Sequence, residues 1–376
     1  MPQLKVLIGG GGTGGHIFPA IAIANAVKEQ VPDARFLFVG AEGKMEMTRV
    51  PAAGYEIIGL PIRGFQRHAP LKNIGLPWRL LKSLWTARRI VRDFGPHVAV
   101  GVGGYASGPV LAAAQRAGVP TLIQEQNSHA GATNRMLAKR ADIICTAYQG
   151  MERYFPKEKI RLTGNPVRQD MVRLAGKRPR GIEQFGLRED APVVLVTGGS
   201  LGARGINLGI TAALPQLRDA GVQLLWQTGT PFHAQAVQAV KDAGYADARA
   251  HEFIDRMDLA YAVADVVVAR AGAISVSELC ITALPSILVP LPTAAEDHQT
   301  SNAKALASIG AAVLVKDART VQELGGEIIR LVRDPGAREK LRAAMASMGM
   351  RNAAEAIAAE VVRLGRPIME RSTNNT

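Results

Sequence analysis

Residues Lys5 to Asn25 read KVLIGGGGTGGHIFPAIAIAN: an apolar run breaks into six glycines interrupted only by Thr13, then resumes as an alanine- and isoleucine-rich segment, Ile17 to Val27. This spacing predicts strand, glycine turn and helix. Glycine lets the backbone reach positive φ and lets another group approach closely. The helix behind it opens with unpaired N–H groups and a partial positive charge, which suits a negative or developing negative group. His16 stands at that mouth. Taken alone the pattern is ambiguous. Gly10, Gly12 and Gly15 satisfy G-x-G-x-x-G and Glu42 follows the next strand, so a nicotinamide dinucleotide fits too. A histidine at a helix start is also often a cap or a packing residue.

At 376 residues the chain has room for two domains, and 47% hydrophobic residues with 39 glycines suit a globular α/β protein. Cys145 and Cys280 lie in apolar contexts and are expected as buried thiols of a cytoplasmic protein. The N-terminus enters a strand without a signal-peptide pattern. No apolar run approaches the ~18 residues needed to span a bilayer. A net charge of +13 favours nucleic acid, an anionic membrane or a phosphate-bearing small molecule.

Apolar strands follow at Phe36–Val39, Glu56–Leu60, Val98–Val102, Thr121–Gln124 and Ile143–Thr146, with helix-like segments between most of them. Such alternation predicts a mostly parallel sheet covered on both faces. Ligands of such sheets bind beyond the carboxyl ends of the strands, where Gly103-Gly104-Tyr105 and Glu125-Gln126-Asn127 stand.

From Ile57 to Arg92 there are eight Lys or Arg and no acid. Leu80, Leu84, Ala87, Val91 and Phe94 fall on one helical face and are the expected core stripe. Trp78, Leu81 and Trp85 point roughly 100–160° away, among Lys82, Arg88, Arg89 and Arg92. Ile74 and Leu76 extend that apolar patch. Indoles ringed by cations are what a helix on an anionic membrane needs. A helix packed on two sides would show the same pattern. Nucleic acid is less favoured, because these aromatics are helical tryptophans rather than stacking residues on a sheet.

After a polar segment around Lys177 to Arg180, the opening theme returns. Pro192–Thr197 reads as a strand, Gly198-Gly199-Ser200-Leu201-Gly202 as a glycine turn, and Ala203 begins a helix. Strands continue at Leu224–Gln227, Val266–Ala269, Ile287–Val289 and Ala312–Val315. Gly272 and Ala273 precede a helix carrying Ser275, Ser277 and Glu278. Its N–H groups suit a phosphate, and Glu278 suits ribose hydroxyls or plain solvent.

The runs GGTGGHIFPA (11–20), GVGGYASGP (101–109), EQN (125–127), GNPVR (164–168), GGSLGA (198–203), FID (253–255), RAGAISVSE (270–278) and DHQTSNA (297–303) come in order. Together they resemble the MurG family of bacterial peptidoglycan N-acetylglucosaminyltransferases, which make lipid II from lipid I. The resemblance runs from Lys5 to about Leu364.

It implies an α/β fold of two Rossmann-like domains facing across a cleft, the GT-B architecture. Residues 1–164 would bind acceptor and membrane, and 165–345 the UDP-sugar. A helix at 346–366 would return to the first domain, leaving a frayed tail at 367–376. Carried over by motif, Ile254 would meet uracil through its backbone; Ser200, Ala273 and Ile274 would hold the diphosphate beside Arg168. Glu278 would take the ribose hydroxyls, and Gln299 and Asn127 the sugar. Thr13, Gly14 and Gly15 would touch the donor, while Gly104 and Tyr105 would bind the lipid-linked acceptor. Gln124 stands where a histidine is common, Ala271 replaces a common serine, and Leu201 a common glutamine.

The expected reaction is inverting transfer of N-acetylglucosamine from UDP-N-acetylglucosamine to the 4-hydroxyl of MurNAc in lipid I. His16 is the first choice of base, since an imidazole of pKa about 6.5 is mostly neutral in the cytoplasm. Glu125 is the reserve, or orients His16. Neither cofactor nor metal is expected, there being no D-x-D or histidine–cysteine cluster. Implied partners are the donor, the undecaprenyl-pyrophosphate acceptor, an anionic membrane surface on the cytoplasmic face and other cell-wall synthesis proteins. A UDP-N-acetylglucosamine 2-epimerase is the nearest alternative; a non-catalytic sugar-nucleotide subunit and an NAD-dependent enzyme stand behind it.

Overall fold

The computed structural model describes residues 3–12, 14–62 and 76–374. Thr13 and Ile74 lie outside these residues, and Leu76 enters only as the first residue of a helix. The chain divides into two units: Met1–Val167 with Asn352–Thr376, and Arg168–Arg351.

In the first unit, strands β1 (Lys5–Gly9), β2 (Arg35–Ala41), β3 (Glu56–Leu60), β4 (Val98–Gly101), β5 (Thr121–Glu125), β6 (Ile143–Thr146) and β7 (Ile160–Leu162) form one sheet. Its order is β3-β2-β1-β4-β5-β6-β7, and every pairing is parallel. Helices α1 (Gly14–Gln30), α2 (Glu46–Ala52), α3 (Leu76–Phe94), α4 (Ser107–Arg116) and α5 (Ala132–Ala138) connect the strands. Central strands such as Val98–Gly101 are buried throughout, so their sequence runs apolar without alternating.

Helix α1 starts three residues before the sequence expectation, placing Gly14, Gly15 and His16 in its first turn. A first turn tolerates glycine because its N–H groups have no helical partner anyway. Pro19 lies inside the helix, and lacking an N–H it leaves the Gly15 carbonyl without its usual donor.

Helix α3 differs from expectation in rotation. Ser83, Ala87, Ile90 and Val91 are buried, whereas Leu80, expected in the core, is 44% exposed. The packed face thus runs through 83, 87 and 90, and Leu80 joins the outward-facing Trp78, Leu81 and Trp85.

The second unit begins with α6 (Gln169–Val172) and α7 (Arg178–Phe185). It then alternates β8 (Val193–Thr197), α8 (Arg204–Asp219), β9 (Gln223–Gln227), α9 (His233–Asp242) and β10 (Ala248–His251). Next come α10 (Met257–Val263), β11 (Val266–Ala269), α11 (Ala273–Thr282), β12 (Ser286–Leu288), α12 (His298–Ala307) and β13 (Val313–Leu314). Helices α13 (Thr320–Arg333) and α14 (Pro335–Met348) complete it. This sheet is also wholly parallel, ordered β10-β9-β8-β11-β12-β13. Strands β7 and β10 went unread in the sequence because each is short and on an edge.

Helix α15 (Ala353–Asn374) belongs to the first unit, where Ile357, Ala358 and Val361 share a core with Ile17, Ile23 and Val27 of α1. The tail expected to fray from 367 stays helical to Asn374. Past Pro367 it contains no glycine to stop it.

Both sheets reverse strand order at their first strand, between β1 and β4 and between β8 and β11. Ligand crevices of doubly wound sheets open at such reversals. Each glycine turn of the sequence therefore lies where a crevice is expected.

Candidate active site

At the first reversal the ends of β1, β4 and β5 converge. Gly104 takes φ 82°, and a Cβ there would collide with the Gly11 carbonyl, so the two loops touch backbone to backbone. A Cβ on Gly103 would lie 2.9 Å from His16 Cδ2 and Nε2 and 3.6 Å from Gln126 Oε1. The imidazole thus rests on Gly103, with the Gln126 amide bordering the same spot. Tyr105, next in the chain, is exposed.

Glu125 is buried, and its hydrogen bonds organise the loop that follows. Oε1 accepts from the Asn127 N–H at 3.0 Å and Asn127 Nδ2 at 3.3 Å; Oε2 accepts from the Gly131 N–H at 3.0 Å and Asn134 Nδ2 at 2.8 Å. Burial pushes this carboxyl above the ordinary range, and the four bonds oppose that shift. A carboxylate offers about four lone-pair sites, so this loop fills Glu125's capacity.

Beneath lies an amide network. Gln124 Nε2 donates to Asn165 Oδ1 at 2.8 Å, Asn165 Nδ2 to the Gln126 carbonyl at 3.0 Å, and Gln126 Nε2 to the Val102 carbonyl at 2.6 Å and to Gln124 Oε1. Gln124, where the family resemblance puts a histidine, is a buried strut.

Two carboxylates follow β2. Glu42, which a dinucleotide site would use, is exposed. Glu46 is fully buried and accepts from the Gly12 N–H with both oxygens at 3.0 Å. A protein carboxylate thus occupies the Gly12 N–H that a dinucleotide pyrophosphate would need.

At the second reversal Ser200 is exposed at the tip of the glycine turn, and α8 starts directly behind it. Buried Gln227 braces the turn: Nε2 donates to the Gly199 carbonyl at 2.9 Å and Thr197 Oγ1 at 3.2 Å. Its Oε1 accepts the Ile254 N–H at 2.9 Å. A base meeting the Ile254 backbone would use the carbonyl or displace Gln227.

Ala273 and Ile274 form the first turn of α11, and Glu278 stands one turn further along. Glu278 is partly buried, and desolvation raises its carboxyl to about 7 despite the hydrogen bond from Tyr261 and the positive charge of Arg168. Arg168 is itself exposed and paired with Asp170. The structure therefore brings Arg168, Glu278 and the start of α11 into one electrostatic neighbourhood.

Gln299 opens α12 and accepts the Leu291 N–H at 3.0 Å through Oε1. Glu296 and Asp297 before it hold φ of 52° and 51°, a conformation costing non-glycine residues about 1–3 kcal/mol each. Strain of that kind concentrates at ligand-binding loops.

Sequence reasoning missed Glu46, Gln227, Tyr261 and Asn134. None lies in a glycine motif; their partners are distant in sequence. Among the described residues no group of three or more His, Cys, Asp or Glu could hold a metal ion. No described helix is long and apolar enough to cross a membrane. Cys145 and Cys280 are both buried and free.

Two doubly wound parallel sheets, each with a glycine turn at its reversal, define a protein of the two-Rossmann-domain class. The chain matches the glycosyltransferase family 28 N-terminal domain over residues 6–146 and the C-terminal domain of that family over residues 193–358. It is 51% identical over 363 residues to the UDP-N-acetylglucosamine--N-acetylmuramyl-(pentapeptide) pyrophosphoryl-undecaprenol N-acetylglucosamine transferase of Phocaeicola vulgatus, covering 96% of each chain. The Bacteroides fragilis transferase of the same description is 51% identical over 365 residues, again covering 96% of each. MurG of Acinetobacter baumannii superposes with a TM-score of 0.78 at 28% identity, over 96% of this chain and 99% of that one. The chain belongs to glycosyltransferase family 28, and it is a glycosyltransferase. A UDP-GlcNAc 2-epimerase from Neisseria meningitidis has a TM-score of 0.67 at 13% identity, over 96% of this chain and 100% of that one. That likeness is one of fold alone, and it does not favour the isomerase alternative.

Proposed function

We propose that this enzyme transfers N-acetylglucosamine from UDP-N-acetylglucosamine to the C4 hydroxyl of MurNAc in lipid I, giving lipid II with inversion at the anomeric carbon. The observation that carries this reading is the His16 imidazole resting on Gly103, two residues before Tyr105, at the strand reversal where doubly wound sheets bind ligands.

The donor goes to the second unit. Ile254 meets the uracil, Ser200 and the α11 turn at Ala273–Ile274 hold the diphosphate, and Arg168 adds positive charge to it. Glu278 accepts from the ribose hydroxyls, which are donors that an ionised carboxylate can take in pairs. Gln299 in the second unit, and Asn127, Gly14 and Gly15 in the first, are the sugar-binding residues. The acceptor goes to the first unit at Gly104 and Tyr105.

In the reaction the acceptor oxygen bonds to the anomeric carbon as the bond from that carbon to the diphosphate oxygen breaks. His16 takes the hydroxyl proton, and the diphosphate leaves as UDP against helix N-termini and Arg168. Glu125 is a positioning residue, because its oxygens are engaged with the loop that presents Asn127.

The outward face of α3 seats the enzyme on an anionic membrane. Trp78, Leu81 and Trp85 are 74%, 60% and 64% exposed, and Lys82, Arg88, Arg89 and Arg92 are their neighbours on the helical wheel. Three large apolar side chains left in water on one helix mark a surface that something covers.

Incubating the purified protein with radiolabelled UDP-N-acetylglucosamine and lipid I tests the assignment. Label entering the lipid phase is the expected result. A soluble epimer, or label remaining in the nucleotide, would overturn it.

A further inference from the structure

Glu46 is a fully buried acid whose hydrogen-bond partners among the described residues are backbone N–H groups after β1 and at the end of β2. Its Oε1 and Oε2 each accept from the Gly12 N–H at 3.0 Å, and Oε1 also accepts from the Ala41 N–H at 2.9 Å. Two glycines make the slot it fills: a Cβ on Gly11 would collide with its carboxylate, and one on Gly40 would lie 2.5 Å from its Cγ. On the far side of the loop, Gly11 presses against Gly104, and the neighbouring Gly103 carries the His16 ring. The glycine loop is therefore clamped between a carboxylate and the segment bearing Tyr105.

We infer that Glu46 is a positioning residue for the transfer, fixing the first glycine loop so that His16 and Gly104-Tyr105 keep a single geometry. This rests on the reading of that loop as the acceptor side of the site. A loop containing Gly10, Gly11, Gly12, Gly14 and Gly15 loses much backbone entropy when ordered. Something must hold it, and the Gly12 N–H is held by both oxygens of Glu46. Catalytic groups displaced by about 1 Å lose orders of magnitude in rate, so a residue that never touches substrate can set turnover.

Glu46→Gln tests this. The amide keeps the shape and one acceptor oxygen, but replaces the other with an NH2 that faces the Gly12 N–H donor to donor. Turnover should fall about 30-fold or more, with the KM for the UDP-sugar and the affinity for UDP within about twofold of the parent. Glu46→Asp keeps the acceptor and should retain more turnover than the Gln variant. Because Glu46 acts through the loop that carries His16, His16→Ala with Glu46→Gln should be no more than about threefold slower than His16→Ala alone. Hydrogen exchange of the β1, β4 and β5 amides supplies the folding control.

Glu46→Gln turning over within threefold of the parent would overturn the inference. So would multiplicative losses in the double variant, or loss of sheet protection in both Glu46 variants, which would make Glu46 a folding residue only. Full activity of His16→Ala is a separate outcome: it would remove the catalytic reading of the loop itself, whatever Glu46 does.

Discussion

The Tyr261 hydroxyl donates to Glu278 Oε2 across 2.9 Å, joining α10 to α11 beneath the proposed ribose site. A donor to the ionised form works against the burial that raises Glu278 to about 7. Tyr261 therefore helps keep Glu278 charged near neutral pH.

Tyr261→Phe removes that donor, so the Glu278 carboxyl should rise further. UDP affinity at pH 7 should fall about two- to fivefold, because a smaller fraction of Glu278 is ionised to accept the ribose hydroxyls. The acid limb of affinity against pH should move to higher pH, read by calorimetry between pH 6 and 8.5.

Glu278→Gln should trade function for stability. The folded carboxyl at about 7 lies above its ordinary value of 4.5, so its contribution to stability is fully present below about 4.5 and is lost as pH rises through about 7. The Gln variant has no such loss. Its melting temperature should match the parent near pH 4.5 and exceed it by a few degrees at pH 8, about 1–3 kcal/mol, while UDP binding falls.

Ala283 caps α11 in the left-handed region at φ 53°, with the Ala283 N–H bonded to the Cys280 carbonyl and the Leu284 N–H to that of Leu279. Glycine normally fills that place in this kind of cap. Ala283→Gly relieves a strain of about 1–2 kcal/mol and gives part of it back as unfolded-state entropy. A net gain of about 0.5–1 kcal/mol should appear in urea unfolding, with turnover unchanged.

His16→Ala should lower turnover about 10²-fold or more, the usual worth of a positioned base, with UDP affinity within twofold. Single-turnover rates at saturating donor decide it; near-normal turnover would move the base elsewhere.

Replacing Trp78 and Trp85 together by glutamate should abolish sedimentation with anionic vesicles. Raising salt should weaken the parent's binding, because the surrounding Lys and Arg contribute through screened charge. Binding that survives both changes would place the membrane contact on another surface.

The sequence reading of the sheets held because it rested on short-range signals. Apolar runs of four to seven residues, separated by helical spacing, have few alternatives to buried parallel strands. The readings that failed depended on rotation or partners. Leu80, expected in the core, faces outward and Ser83 is buried, because an amphipathic wheel with two apolar faces does not say which meets the neighbouring helix. Glu42 and Glu46 look alike in sequence; only Glu46 reaches back across 34 positions to the Gly12 N–H.

By itself the sequence determined the two strand–glycine–helix openings, the parallel sheets behind them and the order of motifs that places the chain in its family. These follow from local periodicity and from backbone conformations that glycine alone adopts cheaply. Tertiary structure decided which carboxylate touches the first glycine loop, that Glu125 spends its oxygens on the 127–134 segment, and that Tyr261 sits under Glu278. Such pairings are made when the reversal of strand order brings distant strand ends together, and no repeat or spacing along the chain records them.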